Sequence, residues 1–254
     1  MPTLSGVQEK FARANEHLKR LETDTHAFLK AEPYEFVPER EGDYALVRVK
    51  VKREIPLSLA VTLGDVFYNL RSALDHLTYA LAELNGKPPR GTEFPIFKDK
   101  GKFFRTGPGG GLYKIRGLKP EHRTAIQALQ PYKAGRDAIV QPLWVLHELA
   151  NADKHRTLHM AGGIMEEFGL QFDYTDVALG EPELFAGRLI DGAVVGRVFI
   201  LQTGTDPKMQ VKPRALFNVT YDEAGLFEGR QVPTFLELRD AVGDVIARFK
   251  SAFA

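Results

Sequence analysis

The sequence predicts an α+β protein: a helical bundle of long helices packed beside a mainly antiparallel β-sheet, with an N-terminal β-hairpin. Three observations predict it. Residues 4–30, 56–84, 136–158 and 234–253 place apolar side chains at helical spacing. Residues 158–221 run instead through β-rich segments separated by turn residues. The long helices also do not alternate with strands one by one, so they cannot cover a sheet as βαβ units would.

The elements follow in order. In residues 4–30, Val7, Phe11, Leu18, Leu21 and Phe28 share one face, and Pro33 ends the helix. A β-rich run with Tyr44, Leu46, Val49 and Val51 follows Glu41-Gly42-Asp43, which supplies a hairpin turn within residues 34–54. Pro56 opens a long helix that runs to about Leu84, where Asn85-Gly86 stops it. Residues 86–118 read as an irregular loop, and a loop this long within a domain is usually functional or mobile. Pro120 starts a short helix that Pro131 ends, and Arg136 to about Leu158 reads as another long helix. Strands are expected within GLQFDYTDVAL, ELFAGRLI, GRVFILQT and KMQVKPRALFNVTYD, divided by Gly180-Glu181-Pro182 and Asp191-Gly192. In the last helix Phe235, Leu238, Val242, Val245, Ile246 and Phe249 share a face. The chain is expected to form a single compact unit, 1–254. Its helical part spans 1–157 and 234–254 and includes the hairpin, and a β subdomain spans 158–222.

Composition narrows the function classes. The chain has 254 residues, 44% hydrophobic and 26% charged, which excludes disorder as the main state. Its 34 Lys and Arg against 33 Asp and Glu give a formal charge of +1, so nothing indicates a globally basic nucleic-acid binder. With no cysteine, disulfide scaffolds, thiolate metal sites, Fe–S clusters and Cys nucleophiles are excluded. No signal-peptide pattern and no run near the roughly 20 apolar residues of a membrane span is present, so a cytoplasmic protein without membrane partners is expected. No Gly-x-Ser-x-Gly elbow, Gly-x-Gly-x-x-Gly turn or Gly-Lys-Ser/Thr after Gly107–Gly111 occurs, which disfavours serine hydrolase, Rossmann and phosphate-loop readings.

The chemistry-bearing residues cluster on two helices. On the helix of residues 56–84, Leu63, Val66, Leu70, Leu74, Leu77 and Leu81 form a core stripe, and Asp65, Asn69, Ser72 and His76 form a second, polar line. Arg71 and Asp75 lie four apart on the other flank, the spacing of an ion pair. On the later helix an apolar face of Val140, Leu143 and Trp144 continues into His147, Asn151, Lys154 and His155. If that stripe stays against the bundle, its polar groups need partners, and Arg71, Asp75 and His76 are the candidates. Two bland readings compete with a functional cleft: a hydrogen-bond network that fixes helix register, and a helix that emerges into solvent.

The segment Tyr68–Leu77, with Leu146–Arg156, resembles a family of bacterial and phage-associated proteins without an assigned activity. The resemblance extends to Phe94-Pro95-Ile96 and Gln130-Pro131-Tyr132. A narrower resemblance is to HEPN domains, whose motif is Arg, four to six residues, then His; Arg71 and His76 match it. It implies a helical bundle that homodimerises so that two motifs face one cleft, and either metal-independent RNA cleavage or RNA binding.

In such chemistry His76 serves as base or acid, Arg71 clamps phosphate, Lys154 and Arg156 add charge, and Asp75 orients an imidazole. His147, Asn151 and His155 complete the candidate catalytic set. No cofactor or metal is called for. A rival metal site would take His76 and His147 with Asp75 or Asp153, since His147 and His155 are too far apart along one helix to share an ion.

Between Lys98 and Arg123 eight basic residues stand against Asp99 and Glu121, interleaved with Phe103, Phe104 and Tyr113. Lys102, Arg105, Lys114 and Arg116 are the candidate RNA contacts there, against the alternative of a solvated loop whose aromatics pack on the bundle. The non-enzymatic alternative for the whole chain is a ligand- or protein-binding module in which the His/Asp/Asn/Lys cluster is structural.

Overall fold

A computed structural model describes residues 2–86, 90–156, 158, 160–164, 170–185, 188–213, 217–221, 227 and 232–254. The architecture is α+β, with every strand pairing antiparallel. The chain divides into two compact units. One comprises Met1–Leu21, Ala60–Leu158 and Glu223–Ala254; the other comprises Glu22–Leu59 and His159–Asp222. In this division the hairpin region groups with the later strands, not with the helical part where the sequence placed it.

The first unit is helical. Helix α1 spans Ser5–Lys30 and continues past the unit's limit at Leu21. Helix α2 spans Leu57–Glu83, and its stripe of Leu63, Val66, Leu70, Leu74, Leu77 and Leu81 is fully buried, as the spacing predicts. The chain turns at Gly86 with φ +68, a left-handed conformation that glycine adopts without steric cost. The irregular region carries two short helices, α3 (Lys100–Phe104) and α4 (Gly111–Lys114). Asp99 caps α3 by accepting from the Lys102 N–H at 2.6 Å. Helix α5 spans Pro120–Ala128.

The long helix expected from Arg136 starts later. Pro131–Val140 is a 3-10 segment broken at Gly135 (φ 59, ψ −118), and helix α6 is Pro142–His155. Gly135 leaves the helical region, and Pro142 takes the first helical position, where its missing N–H costs nothing. Helix α7, Phe235–Phe249, has a reciprocal capping box between Thr234 and Glu237. It ends before the expected 253 because Lys250–Phe253 tighten into a 3-10 turn.

The second unit holds a four-stranded sheet in the order β1-β2-β5-β4. Strands β1 (Tyr34–Glu41) and β2 (Tyr44–Val51) form the predicted hairpin, with Gly42 at φ +62 in the first turn position. Strand β2 then pairs with β5 (Val194–Pro213), with Tyr44 opposite Phe199, and β5 pairs along its length with β4 (Leu170–Leu184). The hairpin is therefore part of the main sheet. Strands β3 (Met160–Ile164) and β6 (Phe217–Tyr221) form a separate pair. Of the turns expected inside the β region, Asp191-Gly192 is one, with Gly192 at φ +78, whereas Gly180-Glu181-Pro182 lies within β4, where the pairing register shifts.

Candidate functional site

Arg71 and Asp75, one turn apart on α2, act on the same residue. Arg71 Nη2 donates to the Phe94 carbonyl at 2.7 Å, and Asp75 Oδ1 accepts the Phe94 N–H at 2.8 Å. Arg71 Nη1 also lies 2.8 Å from Asp75 Oδ1, as an ion pair. The two side chains thus bond both backbone groups of Phe94, whose ring is fully buried. The Arg71 side chain is only 10% exposed. Burial pushes the Asp75 carboxyl above its usual range, while the Arg71 charge and the Phe94 N–H act against that rise.

A second clamp holds the segment three residues on. Gln130 Oε1 accepts the Phe97 N–H at 3.1 Å, and its amide donates to Pro95 O at 2.8 Å and Ile126 O at 3.1 Å. The Tyr132 N–H donates to Phe97 O at 3.0 Å. Phe94-Pro95-Ile96, Gln130-Pro131-Tyr132 and the Arg71–Asp75 pair are therefore one hydrogen-bonded assembly. The motif residues Gln130 and Tyr132 were visible in the sequence, but their clamping role was not.

His76 does not join Arg71. Five residues place the two about 140° apart around the helix. His76 is exposed and faces the start of α1, where a Cβ on Gly6 would lie 2.9 Å from His76 Nδ1. It lines a groove of about 430 Å³ with Thr3, Tyr79, Glu83 and Thr92.

On α6 the expected polar line is present, but its members differ in environment. His147 is half-buried, and its Nε2 accepts from the Asn151 amide at 3.1 Å. Lys154 Nζ lies 3.5 Å from Asn151 Oδ1, which leaves the Asn151 amide nitrogen for the imidazole. The His147 proton then sits on Nδ1, which is buried and has no hydrogen-bond partner among the described residues. Burial first, and then the nearby charges of Arg71, Lys114 and Lys154, together lower the His147 pKa to about 4, against the opposing charge of Glu93. These influences place His147, Arg71, Lys114, Lys154 and Glu93 in one electrostatic neighbourhood. Lys154 and His155 are exposed, so the line emerges into solvent at its C-terminal end.

The candidate RNA contacts divide likewise. Lys102 and Arg105 are exposed on and just after α3. Lys114 instead pairs with Glu93 and lies over the Phe97 ring at 5.4 Å. The Arg116 guanidinium stacks on Tyr113 at 3.7 Å and donates to the carbonyls of Tyr113 and Arg90. The sequence placed Phe104 among the basic residues but did not associate Tyr132, Lys133 or Trp144 with them. Phe104 is 38% exposed, and its ring lies 6.4 Å from that of Tyr132. Lys133 lies over Tyr132 at 5.6 Å, and Lys98 over Trp144 at 4.9 Å. Lys133 and Trp144 lie outside the basic run from 98 to 123, so spacing along the chain could not associate them with it.

Among the described residues, no three His, Asp or Glu side chains are placed to hold one metal ion, so the rival set of His76, His147 and Asp75 or Asp153 is not assembled. No helix among them is long and apolar enough to cross a membrane. No protein-family model, curated protein or solved structure matches the chain.

Proposed function

We propose that the protein is a non-enzymatic module that binds single-stranded RNA on the face carrying α3 and the residues after α5, and that it does not cleave RNA through Arg71 and His76. The observation that carries this reading is the combination of exposed Lys98, Lys100, Lys102, Arg105 and Lys133 with the rings of Phe104, Tyr132 and Trp144. Basic side chains neutralise phosphates, and half-exposed rings offer stacking surfaces that every base can use. Arg71 is bonded to Phe94 and ion-paired with Asp75, and His76 faces elsewhere, so the pair lacks the common reacting point that phosphodiester cleavage needs.

The test is fluorescence anisotropy with a labelled single-stranded RNA over a salt series. The double substitution Lys102→Glu, Arg105→Glu is expected to weaken binding by about tenfold or more and to flatten the log–log salt slope by about 1.4. The same protein, incubated with RNA in EDTA beside His76→Ala, is expected to leave the RNA intact. Binding that ignores the double substitution overturns the face, and cleavage that His76→Ala abolishes overturns the non-enzymatic reading.

A further inference from the structure

A groove of about 450 Å³ opens between the start of α6 and the C-terminal half of α7. That volume falls within the range of small-molecule sites. Its walls are apolar, formed by Leu129, Pro131, Pro142, Leu143, Ala241 and Val245. Two charged side chains of α7, Asp244 and Arg248, line the same groove. They are spaced i,i+4 in the favourable order, acid before base, yet neither takes part in an ion pair among the described residues. Both are exposed, and each is free to meet a ligand charge of opposite sign. The backbone adds a third polar feature. Gln141 is the N-cap of α6 and makes no side-chain capping bond, and Pro142 has no N–H to offer. Gln141, Pro142 and Leu143 bring the start of α6 to the groove, and the positive end of the helix dipole there favours an anionic group.

From this charge arrangement we infer that the groove binds a free apolar α-amino acid. Its carboxylate meets Arg248 and the first turn of α6, its ammonium meets Asp244, and its side chain lies against Leu143 and Val245. A carboxylate and an ammonium one carbon apart match an unpaired base and an unpaired acid one turn apart. A fatty acid would leave Asp244 unanswered, and an amine would leave Arg248 unanswered. This inference does not depend on RNA binding, because the charged residues that carry it, Asp244 and Arg248, lie on α7 and are not among the proposed RNA contacts.

The test is NMR titration of the whole protein with L-phenylalanine and L-leucine, reading the methyl signals of Leu143 and Val245. The expected result is a saturable shift with a Kd on the order of 1 mM or tighter for at least one of them. N-acetyl-L-phenylalanine, which lacks the ammonium, and phenethylamine, which lacks the carboxylate, are expected to bind at least about tenfold more weakly. Arg248→Gln and Asp244→Asn are each expected to weaken amino-acid binding by about tenfold with no change in Tm, because both side chains are exposed. Ala241→Trp, which fills the groove, should abolish the shift while leaving RNA binding intact. No saturable shift with either amino acid overturns the inference. So does equal binding of the acetylated or decarboxylated analogue, or binding that neither charge substitution weakens.

Discussion

At the scale of single residues, the cluster between α2 and α6 divides into structural and solvent-facing members. Arg71 satisfies a buried carbonyl and, with Asp75, replaces the strand partner that Phe94 lacks. Arg71→Ala leaves the Phe94 carbonyl unpaired and removes the cation beside Asp75. It is expected to destabilise the fold by about 3 kcal/mol, read as a shift in the urea midpoint. Arg71→Lys supplies a point charge without the planar fork, and is expected to restore less than half of that loss. His147 sets a pH dependence of definite sign. Its folded pKa of about 4 lies below the ordinary histidine value of 6.5. Above pH 6.5 the imidazole is neutral in both folded and unfolded chains and contributes no slope. Between pH 6.5 and 4 the unfolded chain takes up a proton that the folded protein refuses, so stability is lost as pH falls. His147→Phe cannot take up that proton. Its stability is expected to fall less than that of the natural protein across the same window, by roughly 2–3 kcal/mol at the acid end, as measured by urea unfolding at stepped pH. An equal fall in both proteins would show that His147 is not held neutral.

At the scale of elements, the α3 face depends on how α3 and α4 pack. Gly111 begins α4 directly against the Phe103 ring, and a Cβ there would lie 2.3 Å from Phe103 Cδ2. Phe103 is fully buried and holds its edge against Phe97 at 5.9 Å, so it has no open space to yield. Gly111→Ala is expected to cost about 1–3 kcal/mol and to displace α3, lowering Tm and weakening RNA binding together. A variant with unchanged Tm would show that the ring can move aside. The cap of α7 offers a contrasting case on an exposed surface. Thr234→Ala removes the acceptor of the Glu237 N–H and is expected to cost about 1 kcal/mol in thermal unfolding, without effect on RNA binding.

Elements also show where local signals were legible. Apolar spacing located α1, α2 and α7 to within a few residues, because each buries one face along its whole length. It overran at α6, where Val140, Leu143 and Trp144 keep a helical rhythm through Gly135 and Gln141-Pro142, although the backbone breaks there. The periodicity of side chains does not register a single backbone reversal. The competing signal, proline at the first helical position, is present at Pro142 as it is at Pro120, the start of α5.

At the scale of the whole molecule, pairing between distant segments decided what local patterns could not. The hairpin of β1 and β2 was legible because its partners are adjacent in sequence and Gly42 marks the turn. Its union with β5, about 150 residues later, was not, because any exposed strand edge offers the same unpaired N–H and C=O groups. The candidate site shows the same division. Sequence spacing alone determined the α+β class, the buried face of α2, the Arg71–Asp75 pair and the polar line from His147 to His155, since an α-helix converts spacing directly into direction. Only the tertiary structure decided that Arg71 holds Phe94, that His147 is half-buried with a lowered pKa while His155 meets solvent, and that Lys133 lies over Tyr132 and Lys98 over Trp144. Those outcomes depend on which loop carbonyl, charge or ring arrives from elsewhere in the chain, and no local spacing encodes that arrival.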